Sequence, residues 1–356
     1  MVVRGTGRDG RDGGVGWGRP AAATLPFGMP FLLSAVLLGI AVSPGGSSAG
    51  EGMEARPVPL VIAHRGASGY LPEHTLPAYA AAYFLGADFI EPDVVLTADG
   101  VLLASHDITL ERTTNVEAVF PGRARPDGKW YVIDFTLEEI RTLEVDGPDR
   151  FVGPAADARA EPGDAVDAGA VPPEARAVPP GLRRATLAEV IGLVQHLNRQ
   201  TGRRVGVIPE MKHPSFHLLE GKPMEGPLAD LLAEYGYDSP ASPAIVQSFD
   251  ADALRRLREQ HGCPLPRVFL VDVDDPFDLD EVATFAEGLG PHRRLVEDSG
   301  GGLVAEAHAR GLFVTPWTFQ DDVREMAAFF REYGVDGLFT DFPDRGVLAR
   351  DAAAPR

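Results

Sequence analysis

The sequence predicts an α/β fold, a (β/α)8 TIM-type barrel with an insertion after the second strand, and three observations carry that expectation. Short apolar or β-branched runs alternate with helical patterns along the chain. Nearly every such run ends in a residue able to do chemistry. The chain of 356 residues has room for one barrel of about 250 residues and an inserted segment.

The elements follow in chain order. Arg4, Arg8, Arg11 and Arg19 precede an apolar run, Phe31 to Val42, and a small-residue stretch at Ser47-Ser48-Ala49. The run is too short for a membrane span, which needs about 20 residues, so 1–49 reads as a removable signal peptide. A permanent single-span anchor is the alternative. Residues 50–356 form the barrel domain. Strands are expected at Pro59 to Ala63, Asp88 to Val94, Val205 to Glu210, Ala244 to Ser248, Arg267 to Val271, Leu312 to Pro316 and Asp336 to Thr340, with a weak eighth near Arg294 to Glu297. Helices are expected at Thr186 to Thr201, which opens with Thr186 and Glu189 at capping-box spacing, and at Asp250 to Gln260 behind an Asp N-cap.

Between Asp93 and His106 there are too few residues for a helical crossover, and Asp99-Gly100 sits between apolar residues. That pattern predicts a hairpin that folds the second strand back and returns His106 to the carboxylates. Residues 107–185 are the insertion. Within it, 153–181 holds nine Ala, six Pro and four Gly, a composition that buries little and reads as a surface loop.

A net charge of −19 repels a polyanionic backbone, and no basic stretch interleaved with aromatics offsets it, so nucleic acid is excluded as a partner. The same charge is unhelpful for any phosphate-bearing ligand, which requires a bound cation or a local basic spot. Cys263 is the only cysteine, so no intrachain disulfide exists. Followed by Pro264, it reads as a small buried apolar residue.

In a parallel barrel the carboxyl ends of the strands open on one face, where active sites are built. That face collects His64 and Arg65, Glu91 and Asp93, Glu210 and Lys212, Gln247, Trp317 and Asp341. Glu91 and Asp93 are two apart on a strand and point to one side. With Glu210 they make three carboxylates that repel unless neutralised, and an all-oxygen set favours a hard cation over zinc, with Ca²⁺ ranked ahead of Mg²⁺. Arg65 and Lys212 supply the positive charge for a phosphate. His64 and His106 can divide proton transfer, one taking a proton from the attacking group and the other giving one to the departing alkoxide. Gln247 and Trp317 are placed in the substrate pocket, although an aromatic at a strand end is as often core. His74, His213, His217, His261, His292 and His308 are read as structural, and Pro214 argues against a regular helix joining His213 to His217.

The run His64-Arg65-Gly66-Ala67-Ser68-Gly69-Tyr70-Leu71-Pro72-Glu73-His74-Thr75 resembles the opening motif of the glycerophosphodiester phosphodiesterase family, in its bacterial periplasmic branch. The resemblance continues through Glu91-Pro92-Asp93, Ser105-His106-Asp107, Asp134-Phe135-Thr136-Leu137, Pro209-Glu210-Met211-Lys212, Gln247-Ser248-Phe249-Asp250-Ala251 and Gly337-Leu338-Phe339-Thr340-Asp341-Phe342-Pro343, and covers 58–348. It implies metal-dependent hydrolysis of glycerophosphodiesters to glycerol 3-phosphate and an alcohol. It also implies a divalent metal on Glu91, Asp93 and Glu210, His64 and His106 as the acid/base pair, and Arg65 and Lys212 on the phosphate. Two departures stand out: Pro92 replaces a more usual polar residue, and the insertion carries the Ala/Pro-rich stretch. Both bear on which alcohol is accepted.

The expected partner is therefore a small glycerophosphodiester, met outside the cytoplasm in the periplasm or extracellular space, with no stable membrane insertion once the signal is removed. Competing readings are a phospholipase D-like or lysophospholipid phosphodiesterase and a non-catalytic phosphodiester-binding surface protein. A mostly polar surface weighs against the first, and retention of all five metal and acid/base residues against the second.

Overall fold

The computed structural model describes residues 58–145 and 182–354. The expected signal 1–49 and the stretch 153–181 lie outside the described residues. The strand segments are β1 (Leu60–His64), β2 (Phe89–Glu91), β3 (Asp93–Leu96), β4 (Leu102–Ala104), β5 (Gly206–Val207), β6 (Glu210–Met211), β7 (Val246–Ser248), β8 (Arg267–Val271), β9 (Gly288–Pro291), β10 (Phe313–Val314) and β11 (Gly337–Thr340).

β1 pairs in parallel with β2 and β11, and the parallel neighbours of β3 run through β6, β7, β8 and β9 to β10. β2 with β3, and β5 with β6, are each one barrel strand interrupted at a proline, Pro92 in the first and Pro209 in the second. Proline has no N–H to give the ladder, but its carbonyl still accepts. Glu210 N–H donates to Pro92 O at 2.9 Å and Gln247 N–H to Pro209 O at 3.0 Å, so the ladder carries on across both breaks. Asp336 N–H donates to Val314 O at 2.9 Å and Phe339 N–H to Pro316 O at 3.0 Å, which joins β10 to β11 and closes the barrel.

Seven strands fall where the sequence places them. The eighth does not: Arg293–Asp298 is a helix, and the strand is β9, Gly-Leu-Gly-Pro. Its glycines hide it from a search for β-branched runs, and packing explains them. A Cβ on Gly288 would lie 2.5 Å from the Phe313 ring, and one on Gly290 would lie 2.5 Å from Leu270 Cδ2 and 3.0 Å from Val268 Cγ1. Large neighbours fill the barrel only because this strand has no side chains there.

Strand alternation sorts the side chains. Ile62, Ile208, Val268, Leu270 and Phe339 form a buried interior cluster. Two residues further along their strands, the same parity brings His64 and Glu210 above that plug. A larger apolar layer packs the helices onto the outside of the barrel. Among those helices, Leu187–Thr201 opens with the expected Thr186/Glu189 capping box, and Ala251–Glu259 has Asp250 as N-cap.

The hairpin is as expected: β3 and β4 pair antiparallel, Val94 with Ala104 and Leu96 with Leu102, and Gly100 takes φ +80° in the turn. The insertion has its own small core of Val95, Leu103, Leu110, Val116, Val132, Phe135, Ile140 and Leu143. Its returning end is tied at the neck. Ala104 N–H donates to Ala185 O at 2.8 Å, Ala185 N–H to His74 O at 3.0 Å, and the buried Arg184 Nη1 to Ala104 O at 3.1 Å.

Pro214 does not break a helix. It occupies the first turn of Pro214–Leu219, where its missing N–H has no partner to lose, and His213 sits just outside in the left-handed region at φ 46°.

Candidate active site

Register brings the acids together. Asp93 is the ladder partner of Glu210, Glu210 of Gln247, and Glu91 of His64. Glu91, Asp93 and Glu210 are all buried, and each offers a carboxylate oxygen within 4.8 Å of the others; no other group of this kind occurs among the described residues. Three buried carboxylates cannot all stay ionised without compensation. Burial, then repulsion from Asp93 and Glu210, pushes Glu91 well above the usual carboxylate range. Burial pushes Glu210 up to about 8, with Lys212 opposing and Asp93 adding to the rise. Asp93 goes the other way: burial alone would raise it, but Lys212 and Arg65 hold it well below its ordinary value.

This donor set fits a hard divalent cation. Asp93 Oδ1 is buried with no hydrogen-bond partner, and Lys212 Nζ stands 3.9 Å from it. Such an atom is costly unless a ligand satisfies it.

Arg65 and Lys212 flank the acids. Arg65 has φ 57°, and the following Gly66 has φ +89° with space for no side chain, since a Cβ there would lie 2.8 Å from the Ala78 carbonyl carbon. This tight turn aims the Arg65 N–H at Glu91 Oε2, 2.7 Å away. The Arg65 guanidinium donates to Glu73 Oε2 at 2.8 Å, and its Nε lies 3.1 Å from Asp93 Oδ2. Lys212 Nζ is 2.8 Å from Glu210 Oε1 and 5.6 Å from the centre of the Phe249 ring.

Each of the two histidines is held at Nδ1 by a carboxylate. His64 Nδ1 is 2.7 Å from Asp341 Oδ1, and that carboxylate also accepts from Ser68 Oγ at 2.9 Å and Gln320 Nε2 at 2.8 Å. His106 Nδ1 is 2.6 Å from Asp107 Oδ1; Asp107 is paired with Arg112, which reaches Glu73 Oε1 at 2.8 Å. Burial, with Arg65 and Lys212 nearby, holds the His106 imidazole below its ordinary pKa, so it is neutral at pH 7. A carboxylate only accepts, so each Nδ1 carries a proton, and the neutral His106 ring keeps its lone pair at Nε2.

Gln247 and Trp317 were expected to touch substrate. Gln247 donates from Nε2 to Glu91 Oε1 at 3.3 Å, and Trp317 Nε1 donates to Gly290 O at 2.8 Å while its ring meets Phe249 and His292 edge-on. The structure adds residues that the sequence reading left out of the site. Asp341 stands in the sequence as a strand-end acid with no role that spacing assigns. Glu73 and Asp107 lie beside named residues, and Gln320 had no signal. His74, read as merely structural, has its ring on a site carboxylate: Nε2 is 3.1 Å from Asp93 Oδ2. Its position ten residues after His64 in the opening motif was the available clue.

The model of the Glycerophosphoryl diester phosphodiesterase family matches residues 64–345. A glycerophosphodiester phosphodiesterase of Haemophilus influenzae is 34% identical over 333 residues, covering 81% of this chain and 88% of the relative. Another, of Treponema pallidum, is 29% identical, covering 81% of this chain and 90% of the relative. Among solved structures, an Oleispira antarctica phosphodiesterase in complex with its product sn-glycerol-3-phosphate shares the fold at a TM-score of 0.60 and 23% identity, covering 83% of this chain and 97% of the other.

Proposed function

The chain belongs to the glycerophosphoryl diester phosphodiesterase family, and from that premise we propose how its residues hydrolyse glycerophosphodiesters to glycerol 3-phosphate and an alcohol. The observation that carries the mechanism is the meeting of Glu91, Asp93 and Glu210 beside two carboxylate-held imidazoles. Glu91, Asp93 and Glu210 would hold a divalent cation, Ca²⁺ ahead of Mg²⁺. When bound there, the cation supplies polarisation of a phosphoryl oxygen and neutralises the charge that develops at phosphorus.

The protein's own groups do the rest. Arg65 and Lys212 present fixed positive charge to the phosphate, which the acidic surface of the chain does not. Their ties to Glu73 and Glu210 keep them in place before substrate arrives, so little reorganisation is needed during the reaction. His106, neutral in the free site, takes a proton from the attacking oxygen at Nε2. His64, as the imidazolium whose Nδ1–H is held by Asp341, delivers its Nε2 proton to the departing alkoxide. Gln247 steadies Glu91, and the Trp317–Phe249 corner walls the space beyond Lys212.

Export belongs to the same reading. It rests on the Arg-rich start, the Phe31 to Val42 run and the small residues after it, with cleavage near residue 49. No helix among the described residues is long and apolar enough to cross a membrane. Amino-terminal sequencing of the mature protein tests this.

The activity is tested by a coupled assay for glycerol 3-phosphate released from glycerophosphocholine. Release is expected, with loss on chelation and recovery on adding Ca²⁺ or Mg²⁺. No release from any of several head-group substrates would end the reading.

A further inference from the structure

His74 lies outside the catalytic set, yet its surroundings fix it on every side. Its N–H donates to Arg65 O at 3.2 Å and its carbonyl accepts from Ala185. The ring is fully buried, with Nδ1 2.8 Å from the Tyr79 hydroxyl and Nε2 3.1 Å from Asp93 Oδ2. Tyr79 is itself fully buried in the helix Leu76–Phe84, which Thr75 caps.

Hydrogen-bond chemistry sets the direction of this chain of groups. A carboxylate only accepts, so across the 3.1 Å contact His74 Nε2 is the donor to Asp93 Oδ2. With Nε2 donating, the other ring nitrogen, Nδ1, is the acceptor for the Tyr79 O–H. Asp93 Oδ2 is thereby engaged by His74, with Arg65 Nε a further 3.1 Å neighbour, while Oδ1 has no hydrogen-bond partner. One oxygen is held and the other left bare.

We propose that His74, locked by Tyr79, is a positioning residue that holds Asp93 by Oδ2 so that Oδ1 is the oxygen offered to a divalent cation. The inference rests on the cation reading of the Glu91, Asp93 and Glu210 cluster. Groups behind a ligand that fix its rotamer are worth about 10- to 100-fold in metal affinity in known sites.

The test is calorimetric titration of chelator-stripped protein with Ca²⁺ alone. His74→Phe keeps the ring shape and removes both nitrogens; its Ca²⁺ Kd should rise about 10-fold or more. His74→Gln keeps an N–H donor and should stay within about threefold of the parent. Turnover at saturating Ca²⁺ should change far less than Kd in both. If His74→Phe binds Ca²⁺ as the parent does, or His74→Gln loses as much as His74→Phe, the inference is wrong. Should His74→Phe fail to give a native circular dichroism spectrum, Tyr79→Phe decides: a Kd raised about threefold or more supports the relay, and an unchanged Kd overturns it. The cation reading has its own control. If the parent binds no Ca²⁺, or Glu210→Gln binds it equally well, that reading falls and takes this inference with it.

Discussion

His64 Nδ1 and Asp341 Oδ1 lie 2.7 Å apart although 277 positions separate them in the chain. They sit at the carboxyl ends of the first and last barrel strands, which are neighbours only because the sheet closes. Asp341 holds the Nδ1–H of His64 and so leaves Nε2 as the nitrogen that gives a proton to the departing oxygen. Asp341→Asn should therefore lower kcat about 10-fold or more, part of the roughly 10² to 10⁴ that positioned acid–base groups supply, while leaving Ca²⁺ affinity unchanged. Steady-state kinetics alongside calorimetry check this, and a kcat within a factor of two of the parent would remove Asp341 from the mechanism.

His106→Ala should lower turnover about 100-fold or more. Asp107 and Arg112 then lose the imidazole they orient, but the cation cluster is untouched. A loss under about fivefold would clear His106 of proton transfer.

Exhaustive chelation should abolish glycerol 3-phosphate release, and Ca²⁺ should restore it more fully than Mg²⁺. The buried, unpartnered Asp93 Oδ1 is the structural reason for expecting dependence. Undiminished turnover of the stripped protein is the opposing result.

Cation-induced stabilisation should grow with pH. Glu210 titrates near 8 in the folded, cation-free chain against an ordinary 4.5, so between those values the folded state holds a proton that the unfolded state has released. Stability of the cation-free protein therefore falls as pH rises through that window. A bound cation displaces the proton, so its affinity rises over the same range. The rise in melting temperature caused by a fixed excess of Ca²⁺ should thus be larger near about pH 8 than near about pH 5.5. Equal shifts at both would contradict the raised Glu210.

Gly290→Ala should destabilise the fold by about 1–3 kcal/mol, because the new methyl must displace Leu270 and Val268 in a filled barrel. Thermal melting reads this directly; an unchanged midpoint would mean that the interior gives more easily than its geometry implies.

The sequence made most of the site legible because its signals are local. Glu91 and Asp93 are two apart on one strand, and Asp99-Gly100 announces the hairpin that returns His106. What escaped depends on contacts between distant segments. β9 was missed because its identity lies in the Phe313, Leu270 and Val268 side chains that fill its place. Glu73 holds Arg65, Asp341 holds His64 and Gln320 holds Asp341, and no spacing rule links them. His74 looks ordinary in the sequence because its contacts with Asp93 and Tyr79 exist only in the fold. Pro214 does keep His213 and His217 off one helix, as expected, but by beginning the helix after His213 rather than by preventing it.

The neck of the insertion has an implication for change over time. Ala104, Ala185 and His74 clamp both ends of that excursion to the barrel, and the small apolar core of residues 95–143 packs independently of the main one. Change confined to the stretch beyond Arg112 leaves His106, its Asp107 and Arg112 partners, and the carboxylate cluster where they are. The part beyond Arg112 is thus an exchangeable cassette, through which descendants of this scaffold can trade one leaving group for another without rebuilding the machinery beneath.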